Sequence, residues 1–198
     1  MLDLHRNWFH GLETKTAAIF AVLPLTPNQY TSFSIVFAMA CAYSLYIGHY
    51  WLALLFFMLA GAMDFIDGAV ARAKNLASPK GAHWDNIADR YVEAIVLLGL
   101  LSVSLPSMFL PAYVWIFLVL FGSMMTTYAK ASAKEKGLSD AELKGGLMSR
   151  AERLIFYFLA IVFLNYNLVI SIYIVAVLAL LSNFTALQRI HRALNLTK

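Results

Sequence analysis

Six long apolar runs alternate with two kinds of break along this chain. The runs lie near 29–48, 51–72, 84–104, 111–133, 150–165 and 167–187. Most are about the length of α-helix that crosses the apolar layer of a bilayer, about 20 residues. Three of the breaks, Gly48–Tyr50, Leu105–Pro111 and Asn165–Asn167, contain no Lys, Arg, Asp or Glu. The others, around 72–90 and 130–153, carry charge, as do both ends of the chain. Charged and uncharged breaks alternate, so six spans with both termini on one side account for the pattern. Lys and Arg excess marks the cytoplasmic side. The expected fold is therefore an all-α integral membrane protein of six transmembrane helices, a multi-pass protein of the cell membrane. Its working face is expected on the cytoplasmic side, because the uncharged turns look too short to carry chemistry.

Composition agrees with this picture. Hydrophobic residues make up 61% of the 198 and charged residues 13%; mean hydropathy is +0.70. Soluble domains run near 45–50% apolar and about 25% charged, which excludes a disordered tail and argues against a cytosolic domain. The net charge of +4 does not point to nucleic acid, since the few charges sit beside apolar runs. The single Cys41 lies inside such a run, so there is no disulfide framework. Residues 1–25 carry Arg6, Lys15, His5, His10, Trp8 and Phe9 before the short apolar stretch Ala17–Leu25. Pro24 and Pro27 interrupt that stretch and no small-residue cleavage site follows, so an amphipathic interfacial segment fits better than a signal peptide. One membrane domain is expected over 1–198. Asn183-Phe-Thr and Asn195-Leu-Thr match the glycosylation pattern, one in a span and one in the tail, and are read as chance matches.

Against this background four carboxylates stand out. Asp64 and Asp67 lie toward the end of the second run, Asp85 and Asp89 at the start of the third. Ionised groups at membrane depth are costly and are functional candidates by default. One isolated aspartate would simply lie in water beyond a helix end. These four are organised: spacings of three and four put each pair on one helix face. Two helices joined by a turn would aim all four at one another, and such a cluster needs cations. Oxygen-only ligation suits magnesium, manganese or calcium, and no Cys/His cluster offers a zinc alternative. Two such ions are a known device for phosphoryl chemistry. Gly68, Ala71 and Gly81 leave room for a bulky anion, while Arg72, Lys74 and Lys80 supply positive charge.

The residues from Asp64 to Asp89 also carry a family pattern. Asp64, Asp67, Gly68, Ala71, Arg72, Gly81, Asp85 and Asp89 follow D-x2-D-G-x2-A-R-x8-G-x3-D-x3-D without a gap, eight fixed positions over 26 residues. This resembles the signature of the CDP-alcohol phosphotransferases, and the six-span pattern extends the resemblance over nearly the whole chain. The resemblance implies transfer of a phosphatidyl-type or archaetidyl group from a CDP-linked lipid to an alcohol, with release of CMP. It implies that Asp64, Asp67, Asp85 and Asp89 hold two divalent ions, Mg2+ or Mn2+, and that Asp89 is also the general base. It implies CDP-lipid contacts at Asp67, Gly68, Ala71, Arg72, Ser78 and Gly81. Asn28, Gln29, Tyr30 and Thr31 resemble the family segment that helps hold the nucleotide, although Pro27 and Asn28 are also ordinary helix-start signals. Homodimers are usual in the family, so a homodimer is expected.

The second charged break bears on the acceptor. Lys130 ends one span; Arg150 and Arg153 begin another, three apart on one face. These three cations, at the same membrane depth, are read as able to surround a second phosphate, whereas Lys134, Lys136 and Lys144 fit the positive-inside rule alone. The sequence Tyr128-Ala-Lys130-Ala, then Gly145-Gly146, then Arg150-Ala-Glu152-Arg153-Leu is similar to the phosphatidylinositol-phosphate and archaetidylinositol-phosphate synthase branch, which implies the water-soluble acceptor inositol phosphate, with Lys130, Arg150, Arg153 and Arg189 on its phosphate. Ser132, Lys134 and Ser149 depart from that branch's usual residues, and glycerol 3-phosphate is the main competitor. Two other classes use intramembrane carboxylates. A prenyltransferase spreads its Asp motifs further apart, and a cation transporter needs a relay through the outer halves of the spans, which hold no Asp, Glu, Lys or Arg.

Overall fold

The structure is a computed structural model and describes residues 16–17, 19–138 and 147–195. Six long helices occupy the described residues: α1 Pro27–Tyr46, α2 Tyr50–Ala73, α3 Pro79–Leu101, α4 Ala112–Glu135, α5 Arg150–Leu164 and α6 Leu168–Asn195. Local chemistry sets several starts. Pro27 enters α1 at its first turn, and the Gln29 side chain accepts from the Thr26 N–H at 2.8 Å. Ser78 caps α3 by accepting from the Gly81 N–H at 3.1 Å, with Pro79 next. Ser149 and Glu152 cap α5 reciprocally. Gly48 and Gly137, with φ of +77° and +67°, turn the chain after α1 and α4.

The helices close into a ring. Each packs chiefly on two neighbours, in the order α1, α2, α5, α6, α4, α3 and back to α1. The consecutive helices α2 and α3 make little direct contact, because α1 packs against both. The core runs through the ring and includes Leu45, Phe57, Leu97, Ile116, Tyr157 and Ile172. Two close approaches hold it. A Cβ on Gly99 of α3 would lie 2.6 Å from the Ala42 Cα of α1, and one on Gly122 of α4 would lie 2.8 Å from the Asn183 backbone nitrogen of α6. Small residues that let helix backbones touch are what association inside a membrane favours. Asn183, half of a glycosylation match, is committed to the interior: its amide donates to the Leu118 and Ala179 carbonyls at 2.8 Å each.

The outer surface is apolar. Leu98, Phe117 and Leu180 are 64%, 60% and 61% exposed, and α2, α4 and α6 are long and apolar enough to cross a membrane. Two boundaries differ from the expected runs. The third helix begins at Pro79, not near 84, because Ser78 and Pro79 start it, so Asp85 and Asp89 lie inside the helix rather than at its start. The sixth continues to Asn195, because Ala186 and Ala193 keep a buried face through its polar end. The expected interfacial segment falls largely outside the described residues; in its described part Ala17 is buried, and Ile19 and Val22 are exposed.

Gly99→Val places branched carbons where the α1 backbone already sits. It should cost about 1–3 kcal/mol, read as a lower melting temperature in detergent. Gly61→Ala, where an added Cβ meets nothing within 4 Å, should stay within about 0.5 kcal/mol of the parent. Equal melting for the two variants would show that the α1–α3 approach is not tight.

Candidate active site

The end of α2 and the beginning of α3 face each other across the connection 74–78, and α1 closes the third side. One carboxylate oxygen each from Asp64, Asp67 and Asp85 lie within 4.8 Å of one another. Three carboxylates at this spacing repel unless a cation lies among them, and an all-oxygen donor set fits a hard divalent ion. Asp67 is buried and accepts from Thr31 Oγ1 of α1 at 2.5 Å. Asp89, also buried, lies one turn beyond Asp85.

A cavity of about 180 Å³ opens beside the carboxylates. Asn28 and Thr31 line it from α1, Asp67, Gly68, Ala71 and Arg72 from α2, Ser78 from the connection, and Gly81 and Asp85 from α3. Its glycines are walls without side chains. A Cβ on Gly68 would lie 3.2 Å from Arg72 Nη2, and one on Gly81 would lie 3.3 Å from Ser78 Oγ and 3.5 Å from Asn28 Oδ1. The cavity thus combines backbone surface, two carboxylates, an amide, hydroxyls and a guanidinium. That lining can take a polar, phosphate-bearing group.

Two of the nucleotide-segment residues lie outside the cavity. Gln29 is spent on the Thr26 cap. Tyr30 is 2% exposed, packs edge-to-face on Phe20 and donates its hydroxyl to the Phe20 carbonyl at 3.1 Å. Helical periodicity turns them away, while Asn28 and Thr31, three apart, share the cavity face. Lys74 does not enter the cavity either; it donates to the Leu23 and Leu25 carbonyls at 2.9 and 3.1 Å and ties the approach to α1 onto the end of α2.

The basic residues of the second charged break divide. Arg150 turns toward the aspartates: Nη2 and Nη1 reach the two Asp64 oxygens at 2.9 and 3.2 Å, and Nη2 also pairs with Asp89. Arg153 is 3% exposed and donates Nε to Glu93 at 2.9 Å. Arg189 donates to the Thr126 carbonyl at 2.8 Å, and burial, followed by the charges of Arg153, Arg192 and Arg90, holds its guanidinium below the usual range. Lys130 is half-buried in the last turns of α4. Lys144, Gly145 and Gly146 lie outside the described residues.

Sequence reasoning missed Glu93 and Arg90. Glu93 is 2% exposed and pairs with both Arg153 and Arg90. Arg90 reaches Glu93 at 3.1 Å, Thr127 Oγ1 at 2.9 Å and Asp89 at 3.8 Å. The available signal was Glu93 itself, a carboxylate inside an apolar run and four residues after Asp89, hence on the same helix face.

Comparison with known proteins gives concordant relatives. A sequence profile for CDP-alcohol phosphatidyltransferase matches residues 24–185. The archaetidylinositol phosphate synthase of Pyrococcus horikoshii is 33% identical over 176 residues, 87% of this chain and 86% of that protein. Two crystal structures of the phosphatidylinositol phosphate synthase of Mycobacterium tuberculosis are similar at 26% identity. The complex with manganese and citrate has a TM-score of 0.80 and covers 92% of this chain and 88% of the other. The form with CDP-DAG bound has a TM-score of 0.79, covering 91% and 92%.

Breaking a buried ion pair from one side leaves an uncompensated charge, which costs about 3–5 kcal/mol. Glu93→Gln and Arg153→Met should each lower the melting temperature, and the double variant should recover most of the loss. A double variant as unstable as the sum of the two would show that the pair itself is not coupled.

Proposed function

This chain belongs to the CDP-alcohol phosphatidyltransferase family, and on that premise we propose that it moves a phosphatidyl- or archaetidyl-type group from a CDP-linked lipid to inositol phosphate and releases CMP. The observation that carries this reading is the junction of α2 and α3. There an acidic cluster with the donor set for divalent ions opens onto a cavity walled by Gly68 and Gly81.

Each residue has a part in this reading. Asp64, Asp67, Asp85 and Asp89 hold two divalent ions, magnesium or manganese; Thr31 orients Asp67 from behind. The bound ions supply charge neutralisation to the pyrophosphate and to the departing CMP. Asn28, Thr31, Gly68, Ala71, Arg72, Ser78 and Gly81 receive the cytidine diphosphate, with the backbone at the two glycines allowing close approach. Gln29 and Tyr30 support that segment from outside the cavity, through the α1 cap and the Phe20 contact. Asp89 takes the proton from the acceptor hydroxyl as its oxygen bonds to the lipid-linked phosphorus. The bond from that phosphorus to the oxygen bridging it to CMP breaks, and CMP leaves with the electron pair.

Lys130, Arg150, Arg153 and Arg189 form the acceptor-phosphate site. Support comes from Arg189, whose guanidinium is held below its usual range by burial and then by the nearby charges of Arg153, Arg192 and Arg90, conditions that an anion would relieve. The inositol phosphate assignment draws on the names of the relatives in Pyrococcus horikoshii and Mycobacterium tuberculosis. The same reading makes the chain a six-span membrane protein that works as a homodimer, with both termini, both charged connections and the cavity on the cytoplasmic side. The charge asymmetry of the connections supports that orientation.

With purified protein, CDP-lipid and Mn2+, CMP release should be fastest with inositol phosphate. Release with glycerol 3-phosphate alone would overturn the acceptor, and no release with any alcohol would overturn the transferase. Asp85→Asn should fall to roughly one hundredth of the parent rate or below; full activity there would contradict its ligand role. For topology, Ser107→Cys should react with a membrane-impermeant maleimide added to intact cells, and Lys136→Cys only after permeabilisation. The opposite labelling would invert the assignment.

A further inference from the structure

Arg150 occupies the place of a cation. Its two terminal nitrogens span both oxygens of Asp64, and one of them also pairs with Asp89. Those carboxylates belong to the set proposed above for divalent ions, and Arg150 belongs to the set proposed for the acceptor phosphate. One guanidinium fork cannot fill both places at once. While it lies across Asp64, the oxygens a metal needs are taken and the donors a phosphate needs are spent. The recess that Asp64 and Arg150 line together has about 10 Å³ left, room for about one water. Arg150 Nε is buried there without a partner, so this placement does not satisfy the side chain fully.

The neighbouring arginine behaves differently. Arg153, one helical turn on, is held by Glu93, which belongs to no proposed metal set. Its partner is Glu93 rather than any of the four aspartates. Arg150 stands at the first residue of α5, on a long side chain that can swing without moving the helix.

We infer that Arg150 is the residue that makes acceptor binding conditional on metal: divalent ions displace it from Asp64 and Asp89, and the released fork takes the acceptor phosphate. The inference rests on the metal and acceptor roles proposed above. Charge accounting gives the direction. Before metal arrives, Arg150 balances part of the charge of the aspartates. Once metal is bound, the guanidinium is repelled from the same oxygens and drawn to a phosphate dianion. Linkage then requires metal and acceptor to strengthen each other's binding by the same factor.

The test needs no turnover. Mn2+ binding to the full chain in lipid nanodiscs, without CDP-lipid, is followed by paramagnetic resonance, and inositol phosphate binding by calorimetry with and without Mn2+. Arg150→Gln should bind Mn2+ between about fivefold and a hundredfold more tightly than the parent, the usual span of such coupling. The parent should bind inositol phosphate more tightly with Mn2+ by a comparable factor, and Arg150→Gln should lose that dependence. Arg150→Lys, which keeps the charge without the fork, should fall between the two and covers the case in which the Gln variant does not fold. Unchanged or weaker Mn2+ binding in both folded variants would overturn the inference while leaving the metal reading intact. No Mn2+ binding by the parent or by either variant would overturn the metal reading as well.

Discussion

Mutual repulsion among four aspartates is the constraint around which this protein is built. Asp64, Asp67 and Asp85 bring oxygens within 4.8 Å of one another, and Asp89 lies one turn further along the same helix. Such a group stays in place only if the fold forces it together and cations relieve it. The forcing is done by the helix ring, and the relief inside the chain comes from Arg150 at Asp64 and Asp89, with Arg90 at Asp89. A neutral hydroxyl, Thr31, takes up one oxygen of Asp67.

The basic side chains fall into two populations that a list of charges would merge. Arg153 and Arg90 are tied to Glu93, a buried anion whose partners hold it from both sides. Arg150 pairs instead with Asp64 and Asp89, and Arg90 also reaches Asp89 at 3.8 Å. Arg153 thus belongs to an internal pair and Arg150 to the acidic group. Burial makes this division firm, because an arginine with 3% exposure cannot turn to water when its partner is lost.

Much of this was legible in the sequence, and the limits have physical causes. Apolar runs located the six helices of the described residues, since long uninterrupted apolar stretches leave few competing signals. The apolar pattern of α3 begins later than the helix because Lys80, His83 and Trp84 look like a connection, although Ser78-Pro79 spells a cap. The apolar pattern of α6 ends before the helix does because Gln188, Arg189 and Arg192 interrupt it between the small buried residues Ala186 and Ala193. The four aspartates were legible because three- and four-residue spacing is local information. The partners of those groups were not. Arg150 meets Asp64 across 86 residues and Thr31 meets Asp67 across 36, separations at which helix periodicity says nothing about who faces whom.

The scant contact between α2 and α3 has a consequence for the chemistry. These helices carry the aspartates, yet it is α1, free of charged side chains, that keeps them apart. Their separation is therefore gauged by the girth of an uncharged spacer, tightest where Ala42 meets Gly99. The acidic residues could stay unchanged while the gap between them is retuned from the opposite end of the bundle. Distance within the acidic group is in this sense a mechanical property of the bundle, set by the uncharged face that α1 buries, from Thr31 and Ser34 to Cys41 and Ser44.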